Sequence, residues 1–432
     1  MILWLIALPG AAGAVSFWLP WERARRGLLI LAAGLHLFMT GACWVIPPAP
    51  RLGGWLVLDG IGLLFLTIIS VLFLASAIYS AGYLRREQAS PSREESDGGN
   101  APEARFIACL LAFQATMTLV VTSHHFGLFW VAMEATTLAS APLIYFHRHT
   151  LSLEAVWKYL MICSVGIALA LLGNFCLVVA ATTSRGEPVS LVLGDLIQPG
   201  RSYQIVWLKA AFIFILVGYG TKMGLAPLHT WLPDAHSESP SLVSSLLSGA
   251  LLNCAFLGIL RAQQVGAAAG IASFGQDLLV GFGLLSIAIA AVFIIGQNDY
   301  KRLLAYSSIE HMGILALGVG LGGVGIFGTL LHAVNHSFTK GMLFLVAGNI
   351  LAAYRTKSVA RVQGVTRVLP VSGVLWIMGF LAITGTPPFG PFLSEFTILK
   401  AAIDQGRPAV AAAYLIFLSV IFMGMAATFL RT

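Results

Sequence analysis

The chain has 432 residues, of which 58% are hydrophobic and 10% charged, and its mean hydropathy is +0.87. Soluble domains carry roughly a quarter charged residues, so this composition excludes a soluble protein and predicts a membrane protein. The net charge of +7 is therefore interpreted as membrane topology and not as nucleic-acid binding.

Windows of about 20 apolar residues predict roughly thirteen membrane spans. The fold predicted from them is an all-α, polytopic helix bundle with no room for a soluble domain. The spans begin near Met1, Leu28, Leu56, Phe106, Phe126, Val156, Ile205, Leu242, Asp277, Leu303, Gly325, Val371 and Ala409.

The first span has no basic residue before it and the cluster Arg23, Arg25 and Arg26 after it. That flank is typical of an anchor whose N-terminus lies outside, not of a cleaved signal peptide. With alternating spans, the inside loops and span ends hold sixteen Lys and Arg residues, against seven outside, of the 25 in the chain. The remaining two, Lys222 and Lys340, fall inside spans.

A low-complexity stretch from Glu87 to Glu103 mixes Ser, Pro, Gly and charges. It cannot bury a core, so it is predicted to be a flexible cytoplasmic loop. It closes the first of three predicted regions, residues 1–103, which precedes two inverted-repeat units at 104–262 and 263–432.

Two spans are interrupted by Pro and Gly: the seventh at Gly224 to Pro227, and the twelfth at Thr384 to Gly390. Such residues free backbone groups that neighbouring helices or water must satisfy. The breaks lie five spans apart, so the two helices run in opposite directions. This pattern predicts an inverted repeat around a transport site; kinked structural helices are the alternative.

Ionisable side chains near these breaks are candidate functional residues, because burying one in a membrane costs several kcal/mol. Glu134 lies within the fifth span, Lys222 just before the first break and Glu395 just after the second. We hypothesise that Glu134 and Lys222 form a switchable pair, since each changes the proton affinity of the other. A static buried ion pair is the alternative.

The eleventh span carries His332, His336 and Lys340 at four-residue steps, so the three side chains share one helical face. Imidazole accepts a proton on one nitrogen while it releases one from the other. We therefore predict a proton relay or a ligand-binding face on this span. The alternative is packing of unrelated core residues.

Other polar residues are weaker candidates. Glu310 and His311 either join the relay or serve the structure. His229 and His236 are expected at a cytoplasmic mouth, where Asp234 and Glu238 either collect protons or cap helices. Asp59 and Asp277 begin spans and are interpreted as capping or interface residues. The five cysteines show no paired spacing, so we predict buried free thiols, no metal site and no cofactor in this chain.

Four motifs resemble the antiporter-like proton-pumping subunits of respiratory complex I, Mrp-type sodium/proton antiporters and membrane-bound nickel-iron hydrogenases. They are KMGLAPLHTWLPDAHSESP, KRLLAYSSIEHMG, HAVNHSFTKGMLF and TGTPPFGPFLSEF. The resemblance runs from about Asp59 to the C-terminus. The segments WVAMEATTLASAPLIYF, EAVWKYL and LLSGALLNCAFLGILR are most similar to the F component of hydrogenase-4-type complexes.

The resemblance implies about fourteen helices with two inverted five-helix units. It places the Glu of the fifth helix at Glu134 and the Lys of the broken seventh at Lys222. The relay of the eleventh helix falls at His332, His336 and Lys340, and the ionisable residue after the second break at Glu395. Two departures stand out: Ser248 replaces a Lys or His found in many relatives, and the chain ends at Thr432 in the thirteenth helix, as a fragment or a shorter variant would.

The function that the resemblance implies is proton translocation in a redox-driven complex of a bacterial or archaeal plasma membrane, of the hydrogenase or NADH-quinone oxidoreductase type. Its partners would be other membrane subunits, hydrophilic redox subunits and the lipid bilayer, with no nucleic acid and no redox centre in this chain. One alternative is a sodium/proton antiporter subunit of the Mrp type. Another is a membrane scaffold subunit that does not pump.

Overall fold

The computed structural model describes residues 1–89, 100–182 and 189–432, so most of the loop predicted from Glu87 to Glu103 lies outside the described residues. The helices are α1 (Ile2–Trp18), α2 (Glu22–Val45), α3 (Gly60–Ala89), α4 (Glu103–Thr122), α5 (Phe126–Ile144), α6 (Thr150–Ala181), α7 (Leu193–Leu196), α8 (Ile205–Met223), α9 (Trp231–Glu238), α10 (Ser241–Leu246), α11 (Leu252–Ala268), α12 (Ala272–Ile294), α13 (Tyr300–Leu321), α14 (Val324–Tyr354), α15 (Val365–Val368), α16 (Pro370–Ile383), α17 (Gly390–Asp404) and α18 (Pro408–Phe429).

Eleven helices in the described part of the chain are long and apolar enough to cross a membrane, and α1 and α16 are shorter apolar helices. Together they account for the thirteen predicted spans. Large apolar side chains such as Trp4, Phe38 and Phe327 are exposed on their outer faces, as contact with lipid allows. The prediction of an all-α, multi-pass bundle is confirmed.

Both predicted helix breaks are present. The seventh span divides between α8 and α9, and the twelfth between α16 and α17. Gly224 has φ +86° and Gly385 has φ +63°, a left-handed conformation that ends a helix and favours glycine. In the first break, the freed amide of Ala226 donates to Ser286 Oγ of α12 at 3.0 Å. Neighbouring helices thus satisfy backbone groups released by the breaks, as a membrane interior requires.

Loops that alternation predicts to lie inside meet at one end of the bundle. Asp234 of α9 accepts a hydrogen bond from Lys158 of α6 at 2.8 Å and another from Arg302 of α13. Glu238 pairs with Lys357, after α14, at 2.7 Å. These contacts bring together the connections that follow the fifth, seventh, ninth and eleventh spans, as the predicted threading requires.

Loops predicted to lie outside meet likewise. Asp59 caps α3 by accepting from the amide of Gly62 at 2.9 Å, and it lies 3.5 Å from His124 Nε2. Asp277 pairs with Arg407 at 2.9 Å. The interpretation of Asp59 and Asp277 as capping and interface residues is therefore confirmed.

The centre of the bundle is the span that contains α10, a π-helical segment at Leu247–Leu251 and α11. Its apolar window is entirely buried. It contacts α3, α8 and α14, so it lies between the two broken-helix regions. The same neighbour pattern occurs twice, with α5 against α6 and α6 against α8, then α13 against α14 and α14 against α16. The unit boundaries near residues 103 and 262 stay a prediction.

Candidate functional site in the membrane interior

Lys222 lies on the last turn of α8, just before the first break, and is completely buried. Its Nζ donates to Thr137 Oγ1 of α5 and to Tyr159 Oη of α6, both at 2.7 Å. Nζ also lies 4.5 Å from the centroid of the Tyr159 ring. Two hydroxyl groups and an aromatic ring therefore replace the water that would solvate this ammonium group.

Glu134 lies one turn before Thr137 on α5 and is half-buried. Ser164 Oγ donates to its Oε1 at 3.2 Å, while its buried Oε2 has no hydrogen-bond partner among the described residues. The Lys222 ammonium instead bonds Thr137 and Tyr159, and no salt bridge within 4.0 Å joins it to Glu134. The static ion pair, which was the alternative, is therefore not formed in this conformation, and the switchable pair of Glu134 and Lys222 stays a prediction.

A second polar cluster lies beside the second break. His311 of α13 and His332 of α14 are hydrogen-bonded, with His311 Nδ1 and His332 Nε2 separated by 2.9 Å. His332 Nδ1 lies 2.9 Å from Ser394 Oγ of α17. All three side chains are fully buried, so the cluster joins three helices through a continuous hydrogen-bonded chain.

Each ring of that chain can carry its proton on either nitrogen. When Ser394 Oγ donates to the carbonyl of Pro391, which lies 2.9 Å away, it accepts the proton of His332 Nδ1, and His332 Nε2 accepts from His311 Nδ1. The opposite direction, with His311 Nε2 protonated beside the carbonyl of Ile383, uses the same two contacts. Because an imidazole takes up a proton on one nitrogen and releases one from the other, both rings together form a route for a proton across three helices.

Glu395 of α17 completes the second cluster. Its carboxylate lies within 4.8 Å of ligand nitrogens of His311 and His332. Gly385, in the second break, makes room for it, because a Cβ at that position would overlap Glu395 Oε2. The break thus brings a carboxylate next to two imidazole rings inside the membrane.

The remaining predicted relay residues lie on the adjoining turns. The ring centroids of His336 and His311 are 4.9 Å apart, and neither nitrogen of His336 has a partner among the described residues. Lys340 Nζ donates to the carbonyl of Leu304 at 2.6 Å. Glu310 accepts from Ser307 Oγ at 3.2 Å. His311, predicted only as a possible member of the relay, links the two histidines of α14.

Two hydroxyl groups lie where a link between the two clusters was in question. Ser248, on the π-helical segment, has its Oγ 2.8 Å from Ser308 Oγ of α13.

His236 stacks on Phe344 of α14 with ring centroids 5.0 Å apart, and it is completely buried. The expectation that His236 lines the cytoplasmic mouth is therefore wrong: α9 packs its histidine against α14, one turn beyond Lys340.

The inner end holds the other predicted polar residues. Glu238 pairs with Lys357 at 2.7 Å; burial alone would raise the pKa of this carboxyl, but Lys357, Ser237 and Lys301 together lower the pKa below its usual value. His229 is nearly buried and its Nδ1 has no partner among the described residues. The structure does not bring His229 to either cluster, and a role for it stays a prediction.

Several polar residues were missed by sequence reasoning. Tyr159, Thr137 and Ser394 are uncharged, and nothing in their spacing marked them. Lys301 was counted at an inside span end, yet it is buried and its Nζ donates to the carbonyls of Ser237 and Ser239 at 3.0 and 2.6 Å. The position of Lys301 at the start of α13 gave no signal, because the packing of α9 against α13 depends on tertiary contacts.

Comparisons with known proteins agree with this architecture. A family model described as NADH:quinone oxidoreductase/Mrp antiporter, TM, matches residues 123–422. The chain is 38% identical over 379 residues to the hydrogenase-4 component F homolog of Methylacidiphilum infernorum (isolate V4), covering 87% of this chain and 78% of that protein.

Two solved structures have the same fold. A chain of the archaeal membrane-bound sulfane sulfur reductase superposes with a TM-score of 0.87 at 20% identity, covering 99% of this chain and 87% of that chain. A chain of respiratory complex I from Thermus thermophilus with bound NADH superposes with a TM-score of 0.81 at 25% identity, covering 100% of this chain and 88% of that chain.

Proposed function

The chain belongs to the NADH:quinone oxidoreductase/Mrp antiporter family of membrane subunits, and we propose that it translocates protons as one subunit of a redox-driven complex. The family occurs in bacterial and archaeal plasma membranes. The similarity to a hydrogenase-4 component F homolog favours a hydrogenase-type complex over the NADH-quinone oxidoreductase type.

The observation that carries the proposal is the buried hydrogen-bonded chain from His311 through His332 to Ser394. Ionisable groups inside a membrane are costly and are typical of ion pathways. Here two imidazole rings are hydrogen-bonded to each other at 2.9 Å inside the membrane, and each can take up a proton on one nitrogen and release one from the other, which favours transfer.

Proton movement in this proposal has two stages. Redox energy released in partner subunits changes the charge and hydration around Glu134 and Lys222. In the second unit, a proton then passes along α14 from Lys340 and His336 to His311 and on to His332. Glu395, whose carboxylate lies within 4.8 Å of ligand nitrogens of both histidines, receives it.

Other membrane subunits are partners of this chain, since its homologues belong to multi-subunit membrane complexes. We further propose hydrophilic redox subunits that hold the redox centres, because no cofactor is expected in this chain. Iron, nickel and flavin analysis of the purified chain tests that expectation.

Two alternatives rest on specific observations. The matching family description includes Mrp antiporters, which favours sodium/proton exchange as a second candidate. A scaffold that does not pump is favoured only by Ser248, because a pair of serines stands where an ionisable link was expected.

Purification through a tag on this chain, followed by reconstitution, distinguishes the three candidate functions. Co-purifying hydrogenase or NADH dehydrogenase subunits, together with redox-driven proton uptake in sodium-free medium, support the proposal. Mrp subunits and sodium-dependent exchange without redox partners would replace it with the antiporter function. Redox activity without any proton uptake would support the alternative that this chain is a scaffold subunit that does not pump.

A further inference from the structure

Three potential metal ligands converge beside the second break. His311, His332 and Glu395 come from α13, α14 and α17, and one ligand atom from each lies within 4.8 Å of the others. The two histidines are fully buried, and Glu395 is 8% exposed. The three groups are therefore held by separate helices and converge on one point in the membrane interior.

The donor set matches the preference of zinc. Two imidazole nitrogens and one carboxylate oxygen bind Zn²⁺ at about 2.0–2.2 Å, with a fourth position open to water. Two such ligands at the tetrahedral angle lie about 3.3 Å apart, and His311 Nδ1 lies 2.9 Å from His332 Nε2. A shift of a few tenths of an ångström thus admits the ion between the rings. No cysteine takes part, so the cysteine pattern has no bearing on this site.

The surrounding hydrogen bonds support coordination. Ser394 accepts the proton of His332 Nδ1, which keeps His332 Nε2 free to bind the ion, and a hydrogen-bonded second ring nitrogen is typical of metal-bound histidine. His311 binds through Nδ1 if its proton moves to Nε2, the nitrogen that has no partner among the described residues. Both rings then stay neutral, and Glu395 coordinates as a carboxylate.

We propose that His311, His332 and Glu395 form an exchangeable site for a divalent ion of the zinc class, and that the bound ion blocks the proton relay. The ion takes the two nitrogens between which the proton would pass. It is an inhibitor and not a resident cofactor. Inhibition rests on the proposed function, but binding of the ion does not, so the two are tested separately.

The binding test uses Zn²⁺ itself with the purified full chain in lipid nanodiscs, by calorimetry and zinc K-edge X-ray absorption. We expect one ion with two histidine nitrogens and one carboxylate oxygen at about 2.0–2.2 Å. His332→Ala and Glu395→Gln should each weaken binding more than about 100-fold. Ser394→Ala should weaken it by about 10- to 100-fold, the usual effect of an outer-shell partner.

His336→Ala is the matched control, because His336 lies one turn away on the same helix and is equally buried. It should bind Zn²⁺ like the parent chain. Zinc affinity that is unchanged in both His332→Ala and Glu395→Gln would place the ion elsewhere and overturn the proposal, as would absence of zinc from the parent chain. Binding without loss of proton uptake in the whole complex would contradict only the block of the relay.

Discussion

At the residue scale, the decisive environment is that of Lys222. Its ammonium group donates hydrogen bonds to the hydroxyl groups of Thr137 and Tyr159 and to no carboxylate among the described residues. A hydrogen bond to a charged group contributes about 1.5–3 kcal/mol. Each hydroxyl group therefore contributes substantially to the stability of the Lys222 ammonium group.

Replacing Tyr159 with Phe removes one of the two acceptors and keeps the ring. We expect proton uptake per electron in the reconstituted complex to fall about 10-fold or more, because the lost bond corresponds to about 1.5–3 kcal/mol. Tyr219→Phe is the control: Tyr219 is equally buried, and its hydroxyl group has no partner among the described residues. Equal uptake in the two variants would mean that Tyr159 does not tune Lys222.

Sequence reasoning at this scale identified charged residues better than their partners. Lys222 and Lys340 stood out because a charge is rare inside an apolar span. Thr137, Tyr159 and Ser394 did not, since single hydroxyl groups are common in such spans and their roles depend on which helices are neighbours. The switchable pair of Glu134 and Lys222 likewise stays a prediction, because the hydroxyl groups that bond Lys222 were not foreseen.

At the scale of elements, the two broken helices create the site. The second break places Glu395 beside His311 and His332, and it depends on glycine at position 385. Gly385 combines φ +63° with close contact to the Glu395 carboxylate. Glycine at position 385 is thus required for two reasons: it adopts the left-handed conformation, and it leaves space for the Glu395 carboxylate.

Gly385→Ala should displace Glu395 and so reduce proton uptake, as well as lower the apparent thermal unfolding midpoint. Gly406→Ala is a matched control, since Gly406 has φ +64° but open space around it. The left-handed conformation costs both variants about 1–2 kcal/mol. The additional decrease in unfolding midpoint and proton uptake in Gly385→Ala then measures the overlap with Glu395. Equal midpoints and equal uptake in the two variants would contradict this account.

Both breaks were predictable because Pro and Gly act locally on helix hydrogen bonding. The course of α9 after the first break was not. Its packing carries His236 into the interior against Phe344, which no property of the segment itself indicates. The π-helical segment that holds Ser248 also depends on tertiary contacts.

At the scale of the whole molecule, the fully buried span at Ser241–Ala268 separates the two clusters. In its middle, the contact from Ser248 to Ser308 takes the place of an ionisable link. Two half-channels therefore describe the bundle better than one continuous proton path.

Ser248→Ala should leave proton uptake within about two-fold of the parent complex, because no proton needs to pass this serine. Ser308 keeps its hydrogen bond to the carbonyl of Leu304 at 3.1 Å, so its hydroxyl group is not left unsatisfied. Uptake is measured per electron in proteoliposomes. A loss of uptake with intact redox activity would show instead that the two halves exchange protons through Ser248.

The number of spans and their alternation were predictable at this scale, because hydropathy and the distribution of Lys and Arg depend on the membrane itself. The relation of the two halves required the structure. It depends on how the Ser241–Ala268 span packs against α3, α8 and α14, which no local pattern encodes.

The most direct test of the central claim, that buried ionisable residues move protons, is proton uptake per electron in the Lys222→Ala complex. We expect uptake to be abolished while the complex assembles, because no group remains at that position to hold or release a proton. Lys209→Ala, an exposed lysine on the same helix, should pump normally. Unchanged uptake in Lys222→Ala would contradict the account.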